Sequence, residues 1–267
     1  MKKLVNQEPV KLGIALSGGA ARGIAHIGVL KALEEYDLAP HVVAGTSMGA
    51  IVGMLYAAGF APDEIQQMLK KEKIYTVLGF SFLKNGLFNL NPLKEIFEEA
   101  LEVNDFSILK KDFFVAVSNL NTGRGEILSE GTNLFDYVIA SASIPFVFPP
   151  QVISGQTFID GGLFNNLPAE PLVGRCDRII GVHVNFNGIK KNIKGTKAIA
   201  ERSFNLAIEQ NVKLSRSYCD YYMEPRELRE FSSWDYDKVD RIVEVGYESG
   251  LKSIQQFILP ELEEACI

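Results

Sequence analysis

Two short apolar segments near the start of the chain are each followed by a glycine-containing turn and then by apolar residues at helical spacing. The first apolar segment is 11–16, with the helical pattern at 22–36, and the second is 41–44, with the helical pattern at 48–58. Strands that alternate with helices form parallel sheets, because each helix returns the chain to the end of the sheet where the next strand starts. This order predicts an α/β fold.

The remaining pattern predicts one domain. Hydrophobic residues make up 47% of the 267 residues and charged residues 22%, which is the balance of a folded globular chain and excludes a disordered or collagen-like protein. Further strands are predicted at 113–118, 125–128, 151–153, 157–159 and 178–184, so sheet strands are spread over most of the chain. We expect a single domain over 1–267, with a core at about 11–185 and a C-terminal extension at about 198–267 packed on it.

Charge and cysteine content exclude several classes of protein. Lys and Arg number 27 against 33 Asp and Glu, a net charge of −6, so no global positive field attracts nucleic acid or an anionic membrane. The three cysteines are widely spaced, which favours neither a disulfide framework nor a metal site, and no His or Asp cluster has metal-ligand spacing. We therefore expect no metal and no cofactor.

The sequence also predicts where the protein works. Polar residues interrupt the N-terminus before a signal-peptide apolar region forms, and no uncharged apolar run approaches the roughly 18 residues of a spanning helix. We expect a cytoplasmic protein whose contact with a membrane surface is local, peripheral and transient. The sequence does not indicate an oligomeric state.

Gly45, Ser47 and Gly49 form a G-x-S-x-G pattern between the second predicted strand and the helix after it. A serine on such a sharp turn presents its hydroxyl for nucleophilic attack, and the flanking glycines let neighbouring backbone approach closely. Serine is also a favoured N-cap residue of ordinary helices. The pattern alone supports a nucleophile elbow and a simple helix cap about equally.

A second glycine loop, residues 17–23, also joins a strand to a helix. Free N–H groups at such a junction bind anions, either a nucleotide phosphate or the oxyanion of an acyl-transfer intermediate. A dinucleotide-binding fold needs an acidic residue at the end of the second strand, about 20 residues on. Ser47 stands there instead, which favours the oxyanion.

Asp160, Gly161 and Gly162 follow the strand predicted at 157–159. Asp-Gly turns are common at strand ends, so this motif by itself is weak evidence for a catalytic carboxylate. We expect Ser47 and Asp160 to lie on exposed turns at the ends of their strands.

Taken together, these motifs resemble the patatin-like phospholipase family, in particular its bacterial members. The resemblance rests on SGGAARGIAHIGVL from Ser17, GTSMG from Gly45, SIPFVFPP from Ser143 and DGGLFNNLP from Asp160, and it is weaker around YYMEPRE and residues 246–247. It implies a three-layer α/β/α sandwich around a central, mostly parallel sheet. It also implies a serine lipid acyl hydrolase of the phospholipase A or esterase type, with a lipid or acyl ester as substrate.

The family resemblance further implies the roles of individual residues. Ser47 and Asp160 would form a catalytic dyad, Gly45 and Gly49 the nucleophile elbow, and the glycine loop the oxyanion hole, carried here by Gly18, Gly19, Ala20 and Arg22. The family loop often has a third consecutive glycine where this chain has Ala20, whose N–H still donates unless the site requires a positive φ. Arg22 is expected either to steady the loop or contact a lipid phosphate, or to be a solvated first-turn residue.

Two rival functions remain open. Ser47, Asp160 and His183 follow the chain order of an α/β-hydrolase triad, although Ser47 follows only the second strand and His183 is flanked by valines in a predicted strand. A non-catalytic nucleotide-binding or lipid-binding regulatory module is the other alternative.

Two further segments carry alternative interpretations. The aromatic segment 74–90 is either a core-covering loop or a lid over the acyl entrance, and Lys190, Lys191, Lys194 and Lys197 are either solvated or in contact with anionic headgroups.

Overall fold

An eight-stranded sheet lies at the centre of this computed structural model, which describes residues 10–70, 90–185, 188–189 and 192–264. Lys190, Lys191 and all of the aromatic segment 74–90 except Leu90 lie outside the described residues. The strands are β1 (Leu12–Leu16), β2 (Val42–Gly45), β3 (Asp112–Asn119), β4 (Arg124–Leu128), β5 (Gln151–Ile153), β6 (Gln156–Asp160), β7 (Arg178–Val182) and β8 (Tyr221–Met223).

The strand order is β5-β6-β3-β2-β1-β7-β8, with β4 paired to β3 outside this path. Parallel pairing joins β3, β2, β1, β7 and β8 in succession. The pairs β3–β4, β3–β6 and β5–β6 are antiparallel, and β3 and β4 form a hairpin. The mostly parallel central sheet is therefore confirmed.

Helices cover the sheet. They are α1 (Ala25–Glu35), α2 (Met48–Ala58), α3 (Pro62–Lys70), α4 (Asn91–Leu101), α5 (Leu134–Ser141), α6 (Thr196–Ser215), α7 (Val239–Ser253) and α8 (Leu259–Glu264). The helix predicted at 22–36 is divided, because a 3-10 turn at Ala20–Ile24 precedes α1. The tighter turn brings Gly23 against Met48 of α2, where an added Cβ would be 2.6 Å from the Met48 side chain.

Apolar side chains fill both faces of the sheet, which gives the three layers of the predicted sandwich. Along β1, Ile14 and Leu16 point into the larger core, together with residues of α1, α2 and α5. Ala15, between them, points into the smaller core beneath α6. All five residues of β1 are buried, as expected for a central strand of a parallel sheet with both faces covered.

The C-terminal segment packs onto this core. Strand β8 was not predicted, because three residues are too short for a clear pattern. It pairs with β7, which therefore lies between β1 and β8 in the interior of the sheet. An added Cβ on Gly28 would lie 2.0 Å from the Val243 carbonyl oxygen of α7, so α1 and α7 meet backbone to backbone. These contacts support the prediction of one domain. Within the described ranges, no helix is long and apolar enough to cross a bilayer.

The pairing of β3 brings two strand ends together. One edge of β3 pairs with β4 along residues 115–119, so β2 at 112–115 and β6 at 117–119 must share the opposite edge. Strand β2 runs parallel to β3 and ends with Gly45 opposite Val115, whereas β6 runs antiparallel and ends with Asp160 opposite Val117. The two strands therefore end facing each other, two residues apart along β3.

Candidate active site

Ser47 lies between β2 and α2 in a strained conformation. Its φ is 55° and its ψ −124°, a positive-φ region that non-glycine residues rarely adopt, and its side chain makes no capping hydrogen bond to α2. An added Cβ would lie 2.4 Å from the Gly49 oxygen if placed on Gly45, and 2.3 Å from the Leu16 oxygen if placed on Gly49. The local geometry is that of a nucleophile elbow rather than of an ordinary helix cap.

Asp160 ends β6 and caps the 3-10 turn Gly161–Leu163. Its Oδ1 accepts a hydrogen bond of 2.7 Å from the Gly162 N–H, and the carboxylate also accepts one from the Ser47 hydroxyl. Burial raises the pKa of Asp160 to about 7, although the hydrogen bonds from Gly162 and Ser47 oppose this shift. A carboxylate with this pKa is a far better base than an exposed aspartate.

Both side chains are less accessible than expected. Ser47 has 4% of its surface exposed and Asp160 has 3%, so the prediction that they lie on exposed turns is wrong. The cause is the sheet topology, because the ends of β2 and β6 meet beneath the neighbouring loops. Both residues lie at the bottom of a cavity.

The glycine loop presents two unpaired donors to this cavity. Gly18 donates its N–H to the Asn166 oxygen at 3.1 Å, and Arg22 donates its N–H to the Gly19 oxygen at 3.1 Å. Among the described residues, the N–H groups of Gly19 and Ala20 have no hydrogen-bond partner, and both residues line the cavity beside Ser47. Of the four residues predicted for an oxyanion hole, Gly19 and Ala20 therefore present free amides to the cavity, whereas the amides of Gly18 and Arg22 are already engaged.

Ala20 adopts a φ of 48°. A glycine at this position, as the family loop often has, would adopt this conformation more easily. The alanine N–H is free and faces no helical partner, so the positive φ does not prevent it from donating. The chain accepts backbone strain at this position.

The Arg22 side chain steadies the loop. Its Nε donates to the Phe231 oxygen at 2.9 Å, which ties the glycine loop to the segment before α7. Arg22 is absent from the cavity lining, so among the two functional alternatives the structure supports loop anchoring over contact with a lipid phosphate.

The three histidines hold structural positions, and His41 Nδ1 accepts from the Leu12 N–H at 3.3 Å. His26 is fully buried and its Nε2 lies 2.8 Å from the Ser17 oxygen, while burial lowers its pKa to about 4 and keeps the ring neutral. His183 Nδ1 lies 3.0 Å from the Tyr222 hydroxyl and 3.3 Å from the Glu224 carboxylate. His183 therefore packs against Tyr222 of β8 and against Glu224, the residue that follows β8.

Sequence reasoning missed Asn211 of α6, which holds the turn that follows Asp160. Asn211 Oδ1 accepts from the Asn166 N–H at 3.0 Å, and its Nδ2 donates to the Gly162 oxygen at 2.9 Å. Asn166 lies in the DGGLFNNLP segment and its neighbourhood could have indicated a role. Asn211 lies in a helix 50 residues downstream of the turn and carries no such signal.

The cavity has a volume of about 480 Å³, and most of its wall is apolar. Phe146, at the cavity wall, is 89% exposed and has a φ of 67°, and Trp234 is 41% exposed. Within the described ranges, no group of three His, Cys, Asp or Glu residues could hold a metal ion. Apart from the dyad and the glycine loop, the lining consists of Ile144, Pro145, Phe146, Val147, Asn166, Asn185, Thr196, Ala200, Phe204, Asn205, Ile208, Ser233 and Trp234.

The sequence matches the model of one known protein family. The sequence model described as patatin-like phospholipase matches residues 14–173, a stretch that contains the glycine loop, the elbow and Asp160.

Several known proteins are similar to this chain over most of its length. A patatin-like phospholipase domain-containing protein of Caenorhabditis elegans is 28% identical over 290 residues, covering 92% of this chain and 21% of that protein. The lysophospholipase NTE1 of Pyricularia oryzae is 28% identical over 296 residues, covering 95% of this chain and 19% of that protein. Human patatin-like phospholipase domain-containing protein 6 is 26% identical over 275 residues, covering 90% of this chain and 20% of that protein. The chain thus spans about one fifth of the length of these relatives.

A solved structure supports the same fold. The crystal structure of VipD from Legionella pneumophila matches with a TM-score of 0.55 at 15% identity, covering 93% of this chain and 67% of that one. This likeness concerns the fold alone.

Proposed function

The chain belongs to the patatin-like phospholipase family, and on that premise we propose that it is a serine lipid acyl hydrolase that cleaves carboxylic esters through Ser47 and Asp160. The observation that carries the proposal is the hydrogen bond from the Ser47 hydroxyl to a buried Asp160 at the bottom of an apolar cavity. A nucleophile and a base in direct contact, beside unpaired backbone donors, are the parts that acyl transfer requires.

In the proposed reaction, Asp160 takes the proton of Ser47 Oγ as the oxygen attacks the ester carbonyl. The N–H groups of Gly19 and Ala20 stabilise the oxyanion, and loss of one such donor typically costs about 3 kcal/mol of transition-state stabilisation. Asp160 then gives its proton to the leaving alcohol, which leaves the acyl group on Ser47. Water then attacks this ester as Asp160 accepts one of the water's protons, and Asp160 returns that proton to Ser47 Oγ as the bond between Oγ and the acyl carbon breaks and the carboxylic acid leaves.

A histidine is unnecessary in this scheme because Asp160 has the required proton affinity. A base works best when its pKa lies near the operating pH, and burial raises the pKa of Asp160 to about 7. The carboxylate therefore accepts a proton from the serine and returns it to the leaving group at neutral pH. The rival triad would need His183 beside Asp160, whereas the contacts of His183 are with Tyr222 and Glu224.

The cavity supports a lipid substrate. Apolar side chains from the loop 144–147 and from α6 form walls that suit an acyl chain, because burial of each CH₂ group contributes about 0.8 kcal/mol. Phe146 and Trp234 carry apolar surface from the wall out to solvent. We include in the proposal that these two residues contact the surface of aggregated lipid. A cytoplasmic location with transient membrane contact stays a prediction from the sequence.

Covalent labelling tests the proposal. A fluorophosphonate probe should label the wild-type protein at Ser47, and chromogenic esters of graded acyl length should be hydrolysed. The Ser47→Ala variant should lose both labelling and hydrolysis, and Asp160→Asn should lower turnover by at least 10³-fold. Ser217→Ala is the matched control and should behave as wild type, because Ser217 is an exposed serine whose hydroxyl donates to the Leu214 oxygen at 2.7 Å and does not line the cavity.

The same assay separates the rival classes. Full hydrolysis by either dyad variant would overturn the assignment. Nucleotide binding by a protein whose serine does not label would instead favour the regulatory module.

A further inference from the structure

A three-residue segment at the end of α5 holds the backbone of both candidate catalytic residues. The Ser47 N–H donates to Ser141 Oγ at 2.8 Å, and the Asp160 N–H donates to the Ser143 carbonyl oxygen at 3.0 Å. We propose that Ser141 is a positioning residue, whose hydroxyl sets the place of the nucleophile relative to its base. This inference rests on the proposed function.

The Ser141 hydroxyl is held from two sides. It accepts from Ser47 and donates to the Ala116 oxygen of β3 at 2.6 Å, and the side chain is fully buried. Both hydrogen-bonding directions of the hydroxyl are therefore used by backbone groups of other elements, and the hydroxyl has one orientation. Ala116 precedes Val117, which is paired with Asp160, so Ser141 connects the nucleophile to the strand that positions the base.

Ser47 needs this support because its own helix does not supply it. The first N–H groups of a helix have no partner within the helix, and a positive φ persists only where the surroundings hold it. Without the Ser141 hydroxyl, the Ser47 N–H would be buried and unpaired, and the elbow would relax towards an ordinary conformation. The Ser47 hydroxyl would then move away from Asp160 and from the donors of Gly19 and Ala20.

Ser143 provides a matched control. It is also a fully buried serine of the same segment, but its hydroxyl bonds the Ile139 oxygen of α5 at 2.9 Å and lies 3.4 Å from Gln151 Nε2. Its contact with Asp160 is made by the main-chain carbonyl, which every substitution keeps. Ser143→Ala therefore removes a buried hydroxyl without removing a bond to the dyad, whereas Ser141→Ala removes the bond to Ser47.

The experiment compares kcat, KM and the pH profile of the wild type, Ser141→Ala, Ser141→Cys and Ser143→Ala on one chromogenic ester. We expect kcat to fall about 10- to 100-fold in Ser141→Ala with KM within threefold, because a misplacement of about 1 Å costs up to about 10²-fold. The Ser143→Ala variant should keep kcat within threefold. Ser141→Cys, which keeps the size and a weaker hydrogen bond, should lie between Ser141→Ala and the wild type.

The pH profile distinguishes positioning from a merely structural role. The hydrogen bond from Ser47 lowers the pKa of Asp160, so its loss should move the acidic limb of the kcat profile to higher pH in Ser141→Ala and leave it in place in Ser143→Ala. The rate of fluorophosphonate labelling should fall in parallel with kcat.

Equal losses in Ser141→Ala and Ser143→Ala, with unmoved acidic limbs, would overturn the inference while leaving the proposed function intact. If Ser141→Ala does not fold, a Ser141→Cys protein with wild-type kcat and pH profile overturns it equally. A wild-type protein that neither labels at Ser47 nor hydrolyses esters would instead refute the proposed function.

Discussion

The hydroxyl of Ser47 donates to the carboxylate of Asp160 with no imidazole between them, and both side chains are more than 95% buried. Burial raises the pKa of Asp160 to about 7, so in the proposed mechanism one carboxylate combines the roles of base and orienting group that a triad divides between two residues. The dependence of activity on pH, on the histidines and on the loop backbone follows from this contact.

The first prediction concerns pH. Asp160 must be ionised to accept the Ser47 proton, so kcat/KM should rise with pH as the carboxyl loses its proton and level off above an apparent pKa near 7. Initial rates on an uncharged ester between pH 4.5 and 8.5 measure this. A rate that is already maximal at pH 5 would show that the pKa of the catalytic base is that of an ordinary exposed carboxylate, and would contradict the prediction.

The second prediction is that the base destabilises the fold once it is ionised. The folded pKa of Asp160 lies above the unfolded value of 3.8, so its favourable contribution is present below pH 3.8 and is lost as the pH rises through about 7. Asp160→Asn does not titrate, so its free energy of unfolding relative to wild type should increase from pH 5 to pH 8. The increase should be on the order of 1–3 kcal/mol, since a tenfold change in proton affinity is worth about 1.4 kcal/mol.

Urea unfolding of the two proteins at pH 5 and pH 8 gives both free energies. Titrations shared by the two proteins cancel in the difference. A difference that does not change with pH would mean that Asp160 is not desolvated in the folded protein.

The third prediction is that no histidine is the catalytic base. His26→Gln, His41→Gln and His183→Gln, made singly, should leave kcat within about tenfold of wild type, because their contacts are with structural groups. Loss of a triad base typically costs about 10⁴-fold. Steady-state rates are measured beside Asp160→Asn, and a collapse of kcat in a folded His183→Gln protein would replace the dyad by a triad.

The fourth prediction concerns strain in the glycine loop. Ala20 has a positive φ, which costs a non-glycine residue about 1 kcal/mol, so Ala20→Gly should stabilise the protein by up to about 1 kcal/mol and keep kcat within threefold. Ala21→Gly is the matched control, because Ala21 is a buried neighbour without a positive φ and should lose about 1 kcal/mol on the same change. Thermal unfolding compares the two, and equal destabilisation would argue against strain at Ala20.

The fifth prediction concerns the cavity rim. Phe146→Ser should reduce hydrolysis of lipid presented in vesicles at least fivefold while leaving hydrolysis of a soluble short-chain ester within twofold, because an 89% exposed aromatic ring contributes to lipid contact rather than to folding. Phe257→Ser removes an exposed phenylalanine that does not line the cavity, and both rates should be unchanged. Parallel losses on vesicles in both variants would show that Phe146 has no special role in lipid contact.

Local sequence identified the candidate chemical groups, and the family resemblance supplied their roles. The conformation of a turn depends on the few residues within it, so the glycines around Ser47 and after Asp160 were compatible with an elbow and a strand-end carboxylate, although each motif alone also fitted an ordinary helix cap or turn. Alternating strands and helices likewise predicted a mostly parallel sheet, because the return path of a β-α-β unit is local. Helix α2, Met48–Ala58 followed by Gly59, has the bounds that the sequence predicted, because a helix and its end depend on nearby residues.

Long-range pairing accounts for what these signals missed. No local pattern encodes that β2 and β6 share one edge of β3, and this arrangement is what brings Ser47 to Asp160, buries both and raises the pKa of the carboxyl. The engagement of the Gly18 amide by Asn166 and of the Ser47 amide by Ser141 also joins residues about 90 to 150 positions apart. The candidate reactive groups could therefore be named from the sequence, whereas their contact and the proton affinity of Asp160 arise from the tertiary structure, because burial and hydrogen-bond partners are properties of the packed chain.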